Sequence, residues 1–476
     1  MSSQPIPAGE IRRHPSYDPN GYLFEWNGEI HRAIHPARRE AMLALWRSGL
    51  VEELVERDLF PHTELTTLTT DDSDLVFRHA RVPVVTHPDE WSFEMLKDAA
   101  LTTLEVNRVA RRHGYQTLDA HGFNILFRHG HPLFIDLGSF VPVYRDFNCK
   151  RPGWRPYGEF LRSFDAPLRM WSAGDAFLAR HALHGDQLPL TGYWRWRHRV
   201  ARALPVAWLA RFEFLLTRYR ALNSVPLAEF RRLASVSERR ARLAERIIAF
   251  SRHWGLPFSA VDLEALQRRT AAIRPPRADS AWGDYHREAR PDARQAHIIE
   301  LVRRHRPRTV LDMAGNAGFF SRAIADATDV DHVICADYDS NAIDHLYRAL
   351  REDDDSRVDP VLLNFSMSIG DRRFQAAEQR LASDMVLALA LTHHLLLTQK
   401  LTIDFILQRL KRFTRKLLVI EFMPLGLYSS RFERIPEVPD WYRLDWFREA
   451  FSRYFETIEE TRLARNRVLF VGRRND

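Results

Sequence analysis

Thr309-Val-Leu-Asp-Met-Ala-Gly-Asn-Ala-Gly-Phe-Phe-Ser321 is the stretch whose reading decides the fold. An apolar run ends in a turn of small residues, and helical spacing of apolar side chains begins at Phe319. Gly315 and Gly318 therefore sit where a buried strand hands the chain to a helix, the point at which open α/β sheets receive nucleotide-like ligands. Glycine there lets the backbone approach a ligand closely, because no Cβ stands between them. Asp312, in the strand, is placed to take a ligand's ammonium group directly or through water. One strand later, His332-Val-Ile-Cys-Ala-Asp337 ends in a second carboxylate, suited to accept hydrogen bonds from both hydroxyls of a ribose.

Outward from this segment, apolar runs at 309–313, 332–336, 358–363, 385–391 and 417–422 alternate with amphipathic stretches at 319–327, 341–351, 374–381 and 402–413. That alternation predicts a parallel sheet with helices on both faces. Two last runs, 456–462 and 467–473, have no helix between them and predict a terminal antiparallel hairpin. The turn 314–318 lacks the full G-x-G-x-x-G spacing that seats a pyrophosphate, which favours a nucleoside ligand without phosphate over a dinucleotide.

VLDMAGNAGFFS, ICADYD, LALALTHHLL and LLVIEF resemble the successive motifs of class I S-adenosylmethionine-dependent methyltransferases. More narrowly, they resemble a bacterial family of two-part proteins related to a rhizobial host-specific nodulation protein, in which the methyltransferase follows a long N-terminal region. The resemblance implies a Rossmann-like α/β domain over 276–476 with S-adenosylmethionine as cofactor. It also implies donor-binding roles for Asp312, Ala314, Gly315, Asn316, Gly318, Asp337, Tyr338 and Asn364. The family carries glycine where this chain has Ala314, and an acidic residue where Asn364 stands. Alanine is small enough for the turn, and the Asn364 amide can meet the adenine edge. The plainer alternative keeps the glycines as a tight turn and Asp337 as a cap on the next helix.

Methyl transfer is an in-line displacement, so an acceptor hydroxyl must be positioned and must lose its proton. His393 and His394 follow the fourth apolar run on the ligand side of the sheet, and histidine is the usual base near neutral pH. Glu421 ends the fifth run, where it can orient an imidazole or bind the acceptor. These three residues are the candidate catalytic set. The alternative is that one histidine caps the helix beginning near Thr402 or packs beneath the loop, His394 being further into it, while Glu421 forms an internal ion pair. No third ligand at helical spacing accompanies the histidines, so no metal is expected. Trp282 and Tyr285 are candidates to cover the donor pocket, against packing in a core. The expected activity is O-methylation of a small molecule or glycan.

Residues 1–153 read differently. Asn27-Gly28 between alternating runs signals a hairpin. Helical periodicity follows over 36–58, with strands near 63–69 and 74–78 and a long helix over 91–113. Leu118-Asp-Ala-His-Gly-Phe-Asn-Ile-Leu-Phe127 and Pro132-Leu-Phe-Ile-Asp-Leu-Gly-Ser139 resemble the catalytic loop and D-F-G segment of protein kinases and aminoglycoside-phosphotransferase-like enzymes. That resemblance implies an α+β domain with Asp119 as base, Asn124 and Asp136 as magnesium ligands, and Mg-ATP as a second cofactor. Its phosphate-handling half is missing, because no lysine precedes Lys97, which leaves Arg78 or Arg81 as substitutes. A kinase-like scaffold without catalysis, used to recognise the acceptor, is expected first and a bifunctional kinase/methyltransferase second. Residues 154–275 read as a helical extension ending at Arg274-Pro275-Pro276-Arg277.

The chain carries 69 basic and 62 acidic residues, a net charge of +7. This keeps an RNA-directed methyltransferase or RNA-binding protein in view. The basic residues are mostly arginines interspersed with acids, which predicts solvated helix faces rather than a nucleic-acid stripe. The start MSSQPIPAGEIRRHPS has no signal-peptide core, and no apolar run is long enough to span a bilayer, so a cytoplasmic protein is expected. Cys149 and Cys335 offer neither a disulfide framework nor a zinc pattern. Neither the acceptor nor the oligomeric state is written in the sequence.

Overall fold

In the C-terminal third, alternate residues of each strand enter different cores, as the period of a pleated strand requires. Val310, Val333 and Cys335 join one apolar cluster, with Ile298, Ile324 and Leu346 from the helices. Leu311, Ile334 and Ala336 join another on the opposite face, with Ile406, Leu410, Phe447 and Phe451. The computed structural model describes residues 4–14, 18–143, 154, 156–184, 190–211, 213, 242, 246, 261–276, 292–352, 357–366, 375–428 and 435–475.

The strands are Thr309–Met313 (β1), His332–Asp337 (β2), Val358–Leu362 (β3), Ser383–Ala388 (β4), Thr414–Phe422 (β5), Phe455–Ala464 (β6) and Arg467–Arg474 (β7). They form one sheet in the order 3-2-1-4-5-7-6. The first five run parallel, and β7 is antiparallel to both neighbours. The helices are Ala293–His305 (α1), Phe319–Ala327 (α2), Ser340–Arg351 (α3), Ile403–Phe413 (α4) and Leu444–Ser452 (α5). The strand order reverses between β1 and β4, so the crevice for a ligand lies at their carboxyl ends.

Two boundaries differ from expectation. The fourth strand stops at Ala388 because the chain turns at Ala390, in the left-handed region at φ 53°. The helix predicted over 374–381 is one turn, Ala377–Arg380, and Phe374 lies outside the described residues.

The N-terminal region holds a five-stranded antiparallel sheet in the order Arg12–Arg13, Gly21–Trp26, Glu29–Ile34, Val76–His79, Thr63–Leu65. Asn27 and Gly28, at φ 51° and 79°, make its two-residue hairpin turn. The single helix predicted over 36–58 is two, Arg39–Arg47 and Leu50–Glu56, broken at Gly49 with φ 76°. After the long helix Phe93–Arg112, Tyr115–Thr117 pairs with Phe140–Pro142 around the hairpin Ile125–Arg128/His131–Phe134. Helix Leu263–Ala271 buries Leu263 and Leu266 in the same core as that long helix, so the end of the predicted connector belongs to the N-terminal core. Much of the helical reading between 212 and 260 lies outside the described residues.

The two parts share packing rather than a bare tether. Ile343 and Tyr347 of α3 and Leu362 of β3 sit in the N-terminal core. Asp98 accepts from Tyr347 Oη at 2.8 Å and pairs with Arg351, while Asp344 accepts from the Glu94 amide at 3.0 Å. Glu90 and Arg380 form an ion pair with both side chains under a tenth exposed. Removing one partner of such a pair leaves a buried charge unmatched, so this contact holds the two parts in one register.

Candidate functional site

Asp312 is fully buried and accepts the Ser321 hydroxyl at 2.7 Å. Burial pushes its carboxyl up to about 6, with the Asp337 charge adding to the rise and Ser321 and Arg294 opposing it. A Cβ on Gly315 would lie 2.6 Å from Cys335 Sγ and 2.8 Å from Asp312 Oδ2. Only glycine lets the turn close onto this carboxylate. Gly318, at φ 79°, is held as tightly, since a Cβ there would meet Leu346 Cδ1 at 2.7 Å.

Ala314 and Asn316 flank Gly315 in the same left-handed conformation, at φ 62° and 52°. The conformation disfavours a side-chain-bearing residue by about 1–2 kcal/mol, and for alanine nothing offsets it. Ala314→Gly is therefore expected to stabilise the protein by roughly 0.5–1 kcal/mol after the added chain entropy is counted. Chemical denaturation checks this, and a lower midpoint for the variant would contradict the strain.

Asp337 accepts the Asn316 amide through Oδ2 and the Asp339 amide through Oδ1, both at 2.8 Å. It thus ties the glycine turn to the end of β2. The helix-capping role falls instead to Asp339, whose Oδ1 accepts from the Asn341 and Ala342 amides at the start of α3. Asp337 keeps lone pairs for a ligand. Tyr338 beside it is 67% exposed. Asn364 Oδ1 accepts both the amide and the hydroxyl of Ser366, which commits that oxygen rather than the amide nitrogen.

If Asp312 meets the donor's ammonium group, its burial gives donor binding a pH dependence. Its charge, which an ammonium group needs, is present above about pH 6 and lost below it. Affinity for S-adenosylmethionine is expected to be level above about pH 7 and to weaken by up to about tenfold per unit below about pH 6. Titrations across that range test it, and a flat profile down to about pH 5 would show that Asp312 does not meet the ligand's charge.

On the other side of the crevice the histidines exchange the places expected of them. His393 is buried, its Nδ1 has no hydrogen-bond partner, and burial with the charges of His394 and Arg467 pulls its pKa down to about 3. His394 begins a π-helical turn, His394–Thr398, and is half-buried. Its imidazole is also lowered by burial, so it stays neutral at pH 7. The rings lie 4.1 Å apart. His394, not His393, is the side chain that keeps exposed surface.

Glu421 has no exposed surface. It takes Arg294 Nε on Oε1 and Nη2 on Oε2, both at 2.8 Å, and also pairs with Arg467. Its Oε2 accepts the Ala390 amide at 2.8 Å, and its carbonyl accepts Thr392 Oγ1 at 2.6 Å. This is the internal ion pair of the alternative reading. Glu421 meets the histidine loop at the Ala390 amide, through its carboxylate, and at the Thr392 hydroxyl, through its carbonyl. Arg294 and Arg467 are not legible as its partners from the residues alone, since a buried glutamate demands a cation without saying which.

Asp119, Asn124 and Asp136 belong to the N-terminal part. Asp136 accepts the Gly138 amide at 3.0 Å and lies 3.4 Å from Arg32 Nη2. Arg32, nearly buried, also pairs with Asp18, and Asn20 Nδ2 donates to the Gly138 carbonyl at 3.1 Å. The basic group at this site is thus Arg32, an inward residue of Glu29–Ile34. Arg78 and Arg81, the expected substitutes, are turned to the surface, where Arg78 pairs with Glu29 and Glu64 and Arg81 with Glu25. Among the described residues no cluster of three or more His, Cys, Asp or Glu could hold a metal ion, and no helix is long and apolar enough to cross a membrane. Trp282, Tyr285 and Cys149 lie outside the described residues.

No family model matches the chain. It is 25% identical over 431 residues to the nodulation protein NoeA of Rhizobium meliloti (strain 1021), an alignment covering 86% of this chain and 83% of that protein. Solved structures similar to it include the PH0226 protein from Pyrococcus horikoshii OT3, at 16% identity, 40% of this chain, 99% of that one and a TM-score of 0.31. Another is magnesium protoporphyrin IX methyltransferase (ChlM) from Synechocystis PCC 6803 with bound SAH, at 13% identity, 40% and 93% coverage and a TM-score of 0.30. A third is the N-methyltransferase NodS from Bradyrhizobium japonicum WM9, at 11% identity, 38% and 95% coverage and a TM-score of 0.27. By its own strand order and reversed β7, the C-terminal third has the Rossmann-like methyltransferase fold.

Proposed function

We propose that this chain is an S-adenosylmethionine-dependent methyltransferase that methylates oxygen on a small molecule or glycan. The observation that carries the reading is the pairing, at the switch point of the sheet, of buried Asp312 under a glycine turn with Asp337, which is relieved of helix capping by Asp339. Asp312 would meet the donor's ammonium group, Asp337 its ribose and Asn364 its adenine. The bound donor supplies the electrophilic methyl group on a sulfonium.

His394 is the base of this reading. Its lowered pKa keeps the imidazole neutral and able to accept a hydroxyl proton at pH 7. His394→Ala is expected to lower kcat by about 100-fold or more while leaving donor affinity unchanged. Equal activity in the variant would remove His394 from the mechanism.

The N-terminal region serves, in this proposal, as a kinase-like lobe without phosphoryl transfer that selects the acceptor. Its five-stranded sheet, long helix and paired short strands around Asp119, Asn124 and Asp136 support the likeness. The Arg32 and Asp18 pairing against Asp136 supports the loss of catalysis, because it neutralises a carboxylate that magnesium would need. The similarity to NoeA, running through 431 residues, supports both parts acting together.

The test is mass spectrometry of a cell extract incubated with the protein and methyl-labelled donor. Label in a small-molecule or glycan fraction is expected. Label confined to RNA or protein, or no transfer at all, would overturn the acceptor class.

A further inference from the structure

A cavity of about 370 Å³ lies between the turn that carries His394 and the segment that follows β5. Leu397 and Lys400 line it from the first, and Leu427, Glu437, Val438 and Pro439 from the second. Leu397 belongs to the same π-helical turn as His394.

Both walls are tied in place. Gly426, at φ 57°, has no room for a side chain, since a Cβ there would lie 2.7 Å from Val438 Cγ1 and 2.8 Å from Leu397 Cδ1. Glycine at this one position lets the two walls meet. Asn466, in the turn between β6 and β7, holds the same loop. It accepts the Leu425 amide at 2.6 Å and donates to the Gly426 and Tyr428 carbonyls at 3.4 and 3.2 Å. On the opposite wall Lys400 ends the histidine turn in the left-handed region at φ 58°, and the Leu401 amide returns to the Leu395 carbonyl at 3.0 Å. Walls fixed in this way need little ordering when a ligand enters.

The lining says what kind of ligand. Leu397, Leu427, Val438 and Pro439 present hydrocarbon side chains, and the two charged residues, Lys400 and Glu437, are exposed and opposite in sign. A carboxylate or phosphate would therefore lose to Glu437 what it gained from Lys400. The hydroxyls of a sugar ring would leave water for side chains without a donor or acceptor. An uncharged hydrocarbon group suits the lining, because apolar surface removed from water on both sides favours binding.

We infer that this cavity seats an apolar group of the methyl acceptor, so that the acceptor is a hydroxylated small molecule with a hydrocarbon body rather than a free sugar. The inference rests on the reading of His394 as the base. One turn of the chain then carries both the base and part of the wall that selects what reaches it.

The experiment titrates the full chain with naphthol, a hydroxyl on an apolar double ring, and with glucose, which has hydroxyls and no apolar body. Naphthol is expected to bind at least about tenfold more tightly. Leu427→Glu places a carboxylate in the lining at a position already 37% exposed, so the fold should tolerate it. It should weaken naphthol binding by about tenfold or more, and Leu427→Ala by about threefold, with S-adenosylmethionine affinity unchanged in both. In a cell extract supplied with methyl-labelled donor, Leu427→Glu should transfer about tenfold less label than the wild type. Equal affinity of the wild type for naphthol and glucose overturns the inference, as does naphthol binding that neither variant weakens. Undiminished label transfer by a Leu427→Glu protein that has lost naphthol binding overturns the assignment of the cavity to the acceptor. If Leu427→Glu loses S-adenosylmethionine as well, the change has damaged the fold and Leu427→Ala decides. Failure of the wild type to bind S-adenosylmethionine overturns the methyltransferase reading itself, a result separate from any preference between naphthol and glucose.

Discussion

Replacing Asp337 with alanine is expected to weaken S-adenosylmethionine binding by at least about 100-fold. Two ribose hydroxyls donating to one carboxylate are each worth about 1.5–3 kcal/mol, and 1.4 kcal/mol is a factor of ten. The same carboxylate also holds the Asn316 amide, and with it the left-handed turn through Ala314 and Asn316. Its loss therefore costs preorganisation as well as direct contacts. Asp337→Asn separates the two, since its amide oxygen can still accept one backbone N–H while the charge and one acceptor are gone. The asparagine variant should bind between the wild type and alanine. Affinity of Asp337→Ala within about threefold of the wild type would leave Asp337 as a turn-stabilising residue only.

Glu421→Ala should be the most destabilising single change in the crevice, at about 3–5 kcal/mol. It removes the partner of two guanidinium groups at once, and the acceptor of the Ala390 amide in a fully buried place. A loss of that size is a large part of the 5–15 kcal/mol that holds a typical domain folded, so the midpoint of thermal unfolding should fall by roughly 10 °C. Glu421→Gln keeps an acceptor for Ala390 and should fall less. If Glu421→Ala melted with the wild type, the buried triad would not be holding the strand ends together.

How much of this was legible beforehand depends on the kind of signal. The parallel sheet and terminal hairpin were readable because residues such as Val310 and Leu311 alternate between two buried faces, so every strand is apolar throughout. The glycine turn was readable because Gly315 and Gly318 occupy positions where a Cβ has no room. Long-range pairing was not. Nothing local tells that Glu421 meets Arg294 and Arg467, each far away in the chain, or that Asp136 faces Arg32. The order of the histidines misled for a similar reason. Position in a loop does not set depth: with the turn at Ala390 and the π-helical start at His394, His393 is the buried one. Asp337 and Asp339, two residues apart, suit the helix cap equally by sequence, and only the fold decides for Asp339.

The shared core between the two parts also bears on function. Tyr347, Asp344 and Arg351 project from α3, the helix that begins just after Asp337, and all three are held by the N-terminal part. The end of β2 is thus buttressed from outside the methyltransferase sheet.

The central claim is that the crevice above β1 and β2 holds the methyl donor. Calorimetric titration of the full-length chain with S-adenosylmethionine near neutral pH tests it most directly. Saturable binding to one site per chain is the result this account predicts, and the absence of any binding would contradict it.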